Sequence, residues 1–213
     1  MRPRKLSARR GSSILEFSLC LIVLAPALLG MFTVGMNLNR NLQAVQVARD
    51  AGHMYVRSVD FSTTSNQKLL VRLARELKIG ISGTDNPNPS GNAVIILSKV
   101  HVPTLAECTA AGLTAGDCVN IGLPTLSQRI AVGNQGLFAS PFGTPPAAML
   151  RGMGGCTNQD VLRESALRAT NTALLPLIPA GQDAYLAEVY AASPDFDLAS
   201  AMTGTGVYAR AIY

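Results

Sequence analysis

The sequence predicts an α+β fold, in which a long N-terminal transmembrane helix continues into an amphipathic helix and leads to a C-terminal antiparallel sheet head. The helix is predicted by an apolar stretch over residues 14–36 that contains one charge, Glu16. The sheet is predicted by segments in the second half of the chain that are rich in valine, isoleucine and tyrosine. A turn-rich segment, 80–91, separates the two halves.

Composition and charge exclude two classes of protein. Of the 213 residues, 48% are hydrophobic and 15% are charged, which argues against an intrinsically disordered chain. Five of the 18 basic residues lie among the first ten, and the other 13 are balanced by 13 acidic residues. A nucleic-acid-binding domain would carry its basic patch on the folded part, so we expect no nucleic-acid partner.

The apolar stretch is long enough to cross a bilayer. At about 1.5 Å per residue it reaches roughly 35 Å, against about 30 Å for the hydrocarbon core. A buried core helix is the alternative, but such helices are seldom so uniformly apolar. Because the basic cluster precedes the stretch, the N-terminus is predicted to lie in the cytoplasm and the residues beyond about 40 outside it.

Three explanations compete for this N-terminal segment: a removable secretory signal, a permanent anchor and a prepilin-type signal. Ala25-Pro26-Ala27 offers a signal-peptidase pattern, but the apolar residues continue well beyond it. A carboxylate such as Glu16 near the start of a membrane helix usually marks function. The structural alternative is a capping box, in which Ser13 caps the helix and Glu16 follows three residues later.

The spacing of Gly11, Glu16 and Phe17 resembles the signal of type IVb prepilins, and more closely that of the TadE/TadG-like pseudopilins (minor pilins) of the tight-adherence (Flp) pilus system. The resemblance is specific over residues 9–36, and a less specific similarity occurs over residues 185–190. It implies a pilin-like fold and cleavage by prepilin peptidase between Gly11 and Ser12. It also implies that Glu16 and Phe17 take part in assembly, with Glu16 paired to the terminal amine of a neighbouring subunit.

The resemblance implies a minor pilin or pseudopilin that assembles through its N-terminal hydrophobic helix in a type IVb (Flp/Tad) pilus. The expected partners are other pilins and pseudopilins, the inner-membrane pilus assembly platform, prepilin peptidase and the lipid bilayer. The expected location is a single pass of the inner (cytoplasmic) membrane with an extracytoplasmic head, and incorporation into a surface pilus stays open. The alternative function is an uncleaved, membrane-anchored extracytoplasmic binding domain.

Three regions follow from this interpretation: a basic leader over 1–11, a transmembrane and extended helix over 12–60, and an α+β head over 61–213. A stripe of small and apolar residues predicts that the helix packs on the head beyond the membrane. The stripe consists of Ala44, Ala48, Ala51, Tyr55 and Val59.

The head is predicted to contain two more helices and four strands. The second helix covers 67–79 with Leu69, Leu70, Leu73 and Leu77 facing inward, and a further helix covers 158–175. The strands cover 93–102, 128–132, 184–190 and 206–213. Glu188 and Arg210 could form an exposed cross-strand pair of little energetic weight. The segment 133–155, dense in glycine and proline, is expected to be mobile or functional, with mobility favoured.

Cysteine usage favours a disulfide over a metal site. Cys108 and Cys118 flank a short glycine-containing loop and are the favoured pair in an oxidising compartment, which leaves Cys156 over. No Cys-x-x-Cys motif supports zinc. His53 and His101 have no nucleophile nearby in sequence, and no complete phosphate loop is present. The sequence therefore predicts no enzyme, no cofactor and no metal.

Overall fold

The computed structural model describes residues 12–192 and 206–213 and has the α+β fold that the sequence predicts. The predicted leader, 1–11, lies outside the described residues. The chain divides into two compact units that meet in sequence between Asn39 and Arg40. The helices are α1 (Ser12–Val56), α2 (Thr64–Leu73), α3 (Leu105–Ala110) and α4 (Asn158–Arg163). The strands are β1 (Ala93–His101), β2 (Thr125–Gly133), β3 (Asp183–Ala192) and β4 (Gly206–Ile212).

The predicted long helix is confirmed as one element, α1, which continues through Pro26. It ends at Val56 and not near residue 60, because Ser58 takes a left-handed conformation with φ of 63°. The amide of Ser58 donates to the carbonyl of Tyr55 at 3.0 Å, which closes the turn that follows the helix. The chain then reverses toward α2.

The second unit is built around the C-terminal part of α1. The predicted stripe is confirmed, since its alanines and Tyr55 are buried and Val59 packs against the same core. Small side chains on this stripe let the helix backbone approach the sheet closely. The helix and the sheet share one hydrophobic core, which includes Ala44, Val47, Ala48, Ala51, Tyr55, Ile95, Leu97, Ile130, Val132, Ala187 and Val189.

The predicted second helix is present with different bounds. The Thr63 hydroxyl caps α2 by accepting from the amide of Asn66 at 3.4 Å, so the helix begins three residues before the predicted start at 67. After Leu73 the chain tightens into a 3₁₀ turn over Arg75–Leu77.

The predicted inward face of the second helix is confirmed only in part. Leu70 and Leu77 are buried as predicted, together with Val71 and Ala74. Leu69 and Leu73 are each 42% exposed, so their predicted inward orientation is wrong. Both lie within α2, where Leu70 and Val71 are the buried residues, so the inward face is rotated relative to the predicted one.

The four predicted strands form one antiparallel sheet in the order β2-β1-β3-β4. Strand β1 is central and almost continuously buried, as its run of valine and isoleucine predicts. Strand β2 begins at Thr125, three residues before its predicted start, and a register shift between Lys99 and Val100 accommodates the extra length. One face of the sheet packs on α1; we call the opposite face the back face.

The back face is covered by irregular chain. Phe142, from the segment that the sequence predicts to be mobile, is completely buried against Val100, Leu126 and Leu186.

The predicted helix over 158–175 is wrong beyond Arg163, because Glu164 has an extended conformation (φ −91°, ψ 108°) that ends α4. Two 3₁₀ turns, Ser165–Leu167 and Thr172–Leu174, replace the rest of that helix.

Candidate functional site

The first part of α1 presents large apolar side chains to its surroundings in every direction. Between Ile14 and Leu38 these side chains are 37–75% exposed, including Phe17 at 66% and Met31 at 75%. They recur at neighbouring positions around the helix, so no single apolar stripe faces a core. A helix that is apolar all round requires lipid or other protein chains on every side.

Length and hydropathy agree with this conclusion. The helix contains an 18-residue window with a mean hydropathy of 2.3, none of which is buried within the structure. The chain therefore has an N-terminal helix long and apolar enough to span a membrane, consistent with a single-pass membrane protein.

The hydroxyl groups within this apolar segment form hydrogen bonds inside the helix. Ser18 Oγ donates to the carbonyl of Ile14 at 2.9 Å, and Thr33 Oγ1 donates to the carbonyl of Gly30 at 2.8 Å. Such bonds remove the need for an external polar partner, which hydrocarbon cannot supply. These two polar side chains are thus compatible with a lipid environment.

Glu16 is the fifth residue of α1 and lies on its exposed surface, next to Phe17. Gly11, the other part of the predicted signal, lies outside the described residues, so the Gly11–Ser12 bond does too. Because α1 already includes Ser12 and Ser13, Ser13 does not precede the helix as a capping box requires.

The model of the TadE-like protein family matches residues 11–53. This segment is TadE-like. The resemblance predicted from Gly11, Glu16 and Phe17 is confirmed here, and it suggests a protein associated with the Tad pilus. No curated protein and no solved structure is significantly similar to the chain.

The TadE-like segment comprises 43 of the 213 residues and therefore covers about a fifth of the chain. It includes the exposed apolar part of α1 and also the stripe that packs on the sheet up to residue 53. The less specific similarity over residues 185–190, now part of β3, lies outside the matched residues. The match thus concerns the helix and not the sheet.

Cys108 and Cys118 form a disulfide in the head, with their Cα atoms 6.2 Å apart. Both are buried beside Leu162 of α4, so the bridge joins α3 and the following loop to that helix by packing. Cys20 and Cys156 are free cysteines. Burial, assisted by the Asp160 carboxylate, raises the pKa of the Cys156 thiol, which disfavours the reactive thiolate.

His101 has carboxylate partners on both ring nitrogens. Its Nδ1 lies 2.8 Å from Asp183 Oδ1, and its Nε2 lies 3.1 Å from Glu107 Oε1. Asp183 also accepts from Lys99 Nζ at 2.9 Å. This arrangement ties β1, β3 and α3 together at one end of the sheet. Within residues 12–192 and 206–213, no cluster of three or more acidic, histidine or cysteine side chains is arranged to hold a metal ion.

A buried polar cluster on the back face was missed by sequence reasoning. Glu188 lies opposite Arg210 in the β3–β4 register, as predicted, but it is only 1% exposed, so the expected exposed pair is wrong. Its carboxylate accepts from Ser140 Oγ at 2.6 Å and from the Tyr208 hydroxyl at 2.8 Å. Arg129 of β2, also buried, donates to the carbonyl of Gly143 at 2.6 Å. Ser140 and Gly143 belong to a loop without periodicity, so no sequence pattern indicated these contacts.

A polar cleft of about 880 Å³ lies between α2 and the loop over 80–92. Its charged lining includes Asp85, which forms ion pairs with Arg72 at 2.7 Å and Arg75 at 3.2 Å. Both arginine side chains are more than half exposed, so these pairs contribute little stability. Hydrogen bonds from both arginines nevertheless hold the pKa of Asp85 below its ordinary value.

Proposed function

We propose that the chain is a membrane-inserted minor pilin or pseudopilin that takes part in assembly of a type IVb (Flp/Tad) pilus. It would join other subunits through the exposed apolar part of α1. The single observation that carries this proposal is the TadE-like match on a helix whose apolar residues are exposed in every direction. The proposed partners are other pilins and pseudopilins, the inner-membrane assembly platform, prepilin peptidase and the lipid bilayer.

Glu16 supplies the polar contact in this proposal. A carboxylate in hydrocarbon is costly, and an opposite charge from a neighbouring chain offsets that cost more effectively there than in water. Cleavage after Gly11 would make Ser12 the first residue of the mature chain, with a new ammonium group, and Glu16 its fifth residue. The amine of one subunit and Glu16 of the next would then pair within the membrane.

We expect Glu16→Gln to insert in the membrane normally but to lose association with its partner subunits. Glutamine keeps the shape of the side chain and removes the charge, so the attraction to an ammonium group is lost. Photo-crosslinking from a probe residue in the helix, performed in a host that expresses the whole pilus system, would measure the association.

The matched control is Ser18→Ala, two residues further along α1. It removes a polar group whose hydrogen bond is made within the helix, to the carbonyl of Ile14. This variant should crosslink like the wild type. If Glu16→Gln gives wild-type crosslinking as well, the charge-pairing mechanism is contradicted.

Processing at Gly11 separates this proposal from the uncleaved anchor. In a host with an active prepilin peptidase, we expect the wild-type mature chain to start at Ser12. The Gly11→Val variant should keep its leader, because a branched side chain hinders approach of the protease to the backbone. Gly30→Val is the control, because an added Cβ there meets no atom within 4 Å beyond the adjoining residues of its own helix. N-terminal sequencing gives the answer; an intact leader on the functional wild-type protein would favour the membrane-anchored extracytoplasmic binding domain.

The proposed topology has the N-terminus in the cytoplasm and the head outside it. The basic residues ahead of the span support this orientation. A disulfide between Cys108 and Cys118 also suits an oxidising extracytoplasmic compartment. We propose an assembly role without bond chemistry, so no residue receives a catalytic role.

A further inference from the structure

Residues 138–143, which we call the cover segment, close over the back face of the sheet. Phe142 is completely buried against Val100, Leu126 and Leu186. Its neighbours in the segment are less deeply placed, and Ala139 is exposed. Phe138, at the start of the segment, packs against the rings of Tyr190 and Tyr208 with centroids 5.1 Å and 4.9 Å apart, so two aromatic side chains anchor the segment.

Two buried charged side chains hold the cover segment on either side of Phe142. Glu188 accepts from Ser140 Oγ at 2.6 Å, and Arg129 donates through Nη2 to the carbonyl of Gly143 at 2.6 Å. Hydrogen bonds to charged groups are stronger than those between neutral groups. These two contacts are the inner attachments of the segment.

The outer attachments are more accessible to solvent. The carbonyl of Pro141 accepts from Thr170 Oγ1 and Asn171 Nδ2, each at 2.7 Å, and both bonds are exposed. The carbonyl of Phe142 accepts from the amide of Thr170 at 3.0 Å. Exposed hydrogen bonds can be replaced by bonds to water at a small net cost.

Polar atoms without partners also lie on the back face of the sheet. Among the described residues, Ser98 Oγ and Arg129 Nε are buried and have no hydrogen-bond partner. Ser98 and Arg129 face each other across the β1–β2 pair. An unsatisfied buried donor or acceptor costs free energy that hydration would recover, so these atoms oppose closure.

The backbone at the end of the cover segment suits a hinge. Gly143 has φ of 99°, a conformation that other residues rarely adopt, and a glycine there can change conformation at little steric cost. The closed position is thus held by two aromatic side chains and a small set of hydrogen bonds, and it is opposed by the two unpartnered atoms.

We propose that the cover segment is a lid that opens from the intact sheet. Opening exposes the apolar surface formed by Val100, Leu126 and Leu186 and hydrates the polar atoms of Ser98 and Arg129. The Ser140–Glu188 and Arg129–Gly143 hydrogen bonds determine the fraction of molecules in which the lid is open. This inference does not depend on a role in pilus assembly.

Hydrogen exchange of the full chain in detergent micelles tests the lid, with the amides of Gly143 and Thr170 as reporters. Ser140→Ala removes the bond to Glu188 and should accelerate exchange at both reporters on the order of tenfold. Ser98→Ala removes an unpartnered hydroxyl and should slow it by a similar factor. Amides of β1 and β3 should keep their protection in both variants, because the sheet stays intact.

Ser127→Ala is the matched control, since Ser127 Oγ donates to the carbonyl of Lys99 at 3.1 Å in the sheet and not to the cover segment. In this variant the amides of Gly143 and Thr170 should exchange at the same rates as in the wild type. The lid is overturned if the reporter amides exchange only together with β1 and β3, which would mean that opening is global unfolding. It is also overturned if Ser140→Ala leaves the reporters unchanged or if Ser98→Ala accelerates them.

Discussion

Glu188 shows how a single buried side chain connects separate parts of the head. Its carboxylate accepts from Tyr208 of β4 and from Ser140 of the loop after β2, although it belongs to β3. Burial and the nearby carboxylate raise the pKa of the Tyr208 phenol, which keeps its proton available for donation. A buried carboxylate is tolerated here because both oxygens receive hydrogen bonds.

We expect Tyr208→Phe to lower the free energy of unfolding by about 1.5–3 kcal/mol, since it removes a hydrogen bond to a buried charged group. Tyr213→Phe should cost less than about 1 kcal/mol, because that hydroxyl donates to the carbonyl of Arg49 at an exposed position. Chemical denaturation followed by near-ultraviolet circular dichroism measures both. Equal losses from the two substitutions would contradict the importance of the contact with Glu188.

At the scale of elements, α3 depends on an ionised side chain. Thr104 and Glu107 form a capping box at its start, and Glu107 also bonds to His101 of β1. Partial burial would raise the pKa of Glu107, but the hydrogen bonds from Thr104 and His101 outweigh it and hold the pKa below its ordinary value of 4.5. A lowered pKa means that the stabilisation is complete above pH 4.5 and is lost as the pH falls through the folded-state value.

The head of the wild type should therefore lose stability as the pH falls below about 4.5, and Glu107→Gln should reduce that loss while lowering stability at pH 7. Denaturation midpoints at pH 7 and pH 3.5 measure the effect. Glu76→Gln, an exposed change on the 3₁₀ turn after α2, is the charge-matched control and should behave like the wild type. If Glu107→Gln has the pH dependence of the wild type, the cap does not depend on this carboxylate.

Elements with a strong repeating pattern could be predicted from the sequence, and irregular ones could not. The stripe of Ala44, Ala48 and Ala51 located the core face of α1, and the run of valine and isoleucine in β1 located a buried strand. The helix expected over 158–175 failed because Glu164 leaves the helical conformation, which its apolar spacing does not reveal. The TadE-like segment could be recognised because Gly11, Glu16 and Phe17 lie within seven consecutive residues. The cluster around Glu188 brings together residues 48 positions apart, and their contact exists only after folding.

At the scale of the whole molecule, the two units have opposite surfaces. The first exposes apolar side chains all round its helix, whereas the second closes its core between α1, α2 and the sheet. The need for a lipid or protein environment therefore belongs to residues 14–38, and the head satisfies its own hydrophobic core. The two requirements can be separated experimentally.

We expect a chain that begins at residue 40 to fold in water without detergent and to form the Cys108–Cys118 disulfide, while the intact chain fractionates with membranes. The reason is that the core residues of α1 lie at or beyond Ala44. Sedimentation of membrane fractions and alkylation with and without reductant measure the two properties. Aggregation of the shortened chain, or recovery of the intact chain in the aqueous fraction, would contradict this division.

The contact between Tyr213 and α1 has a consequence for biogenesis. The Tyr213 hydroxyl reaches the carbonyl of Arg49, a partner 164 positions earlier in the chain, and β4 is an edge strand of the sheet. Synthesis delivers residues in order from the N-terminus, so the carbonyl of Arg49 lacks this partner until Tyr213 has been added. During that interval the side of α1 around His53, which packs against Tyr213, is uncovered, and a chaperone would have its best opportunity to bind there.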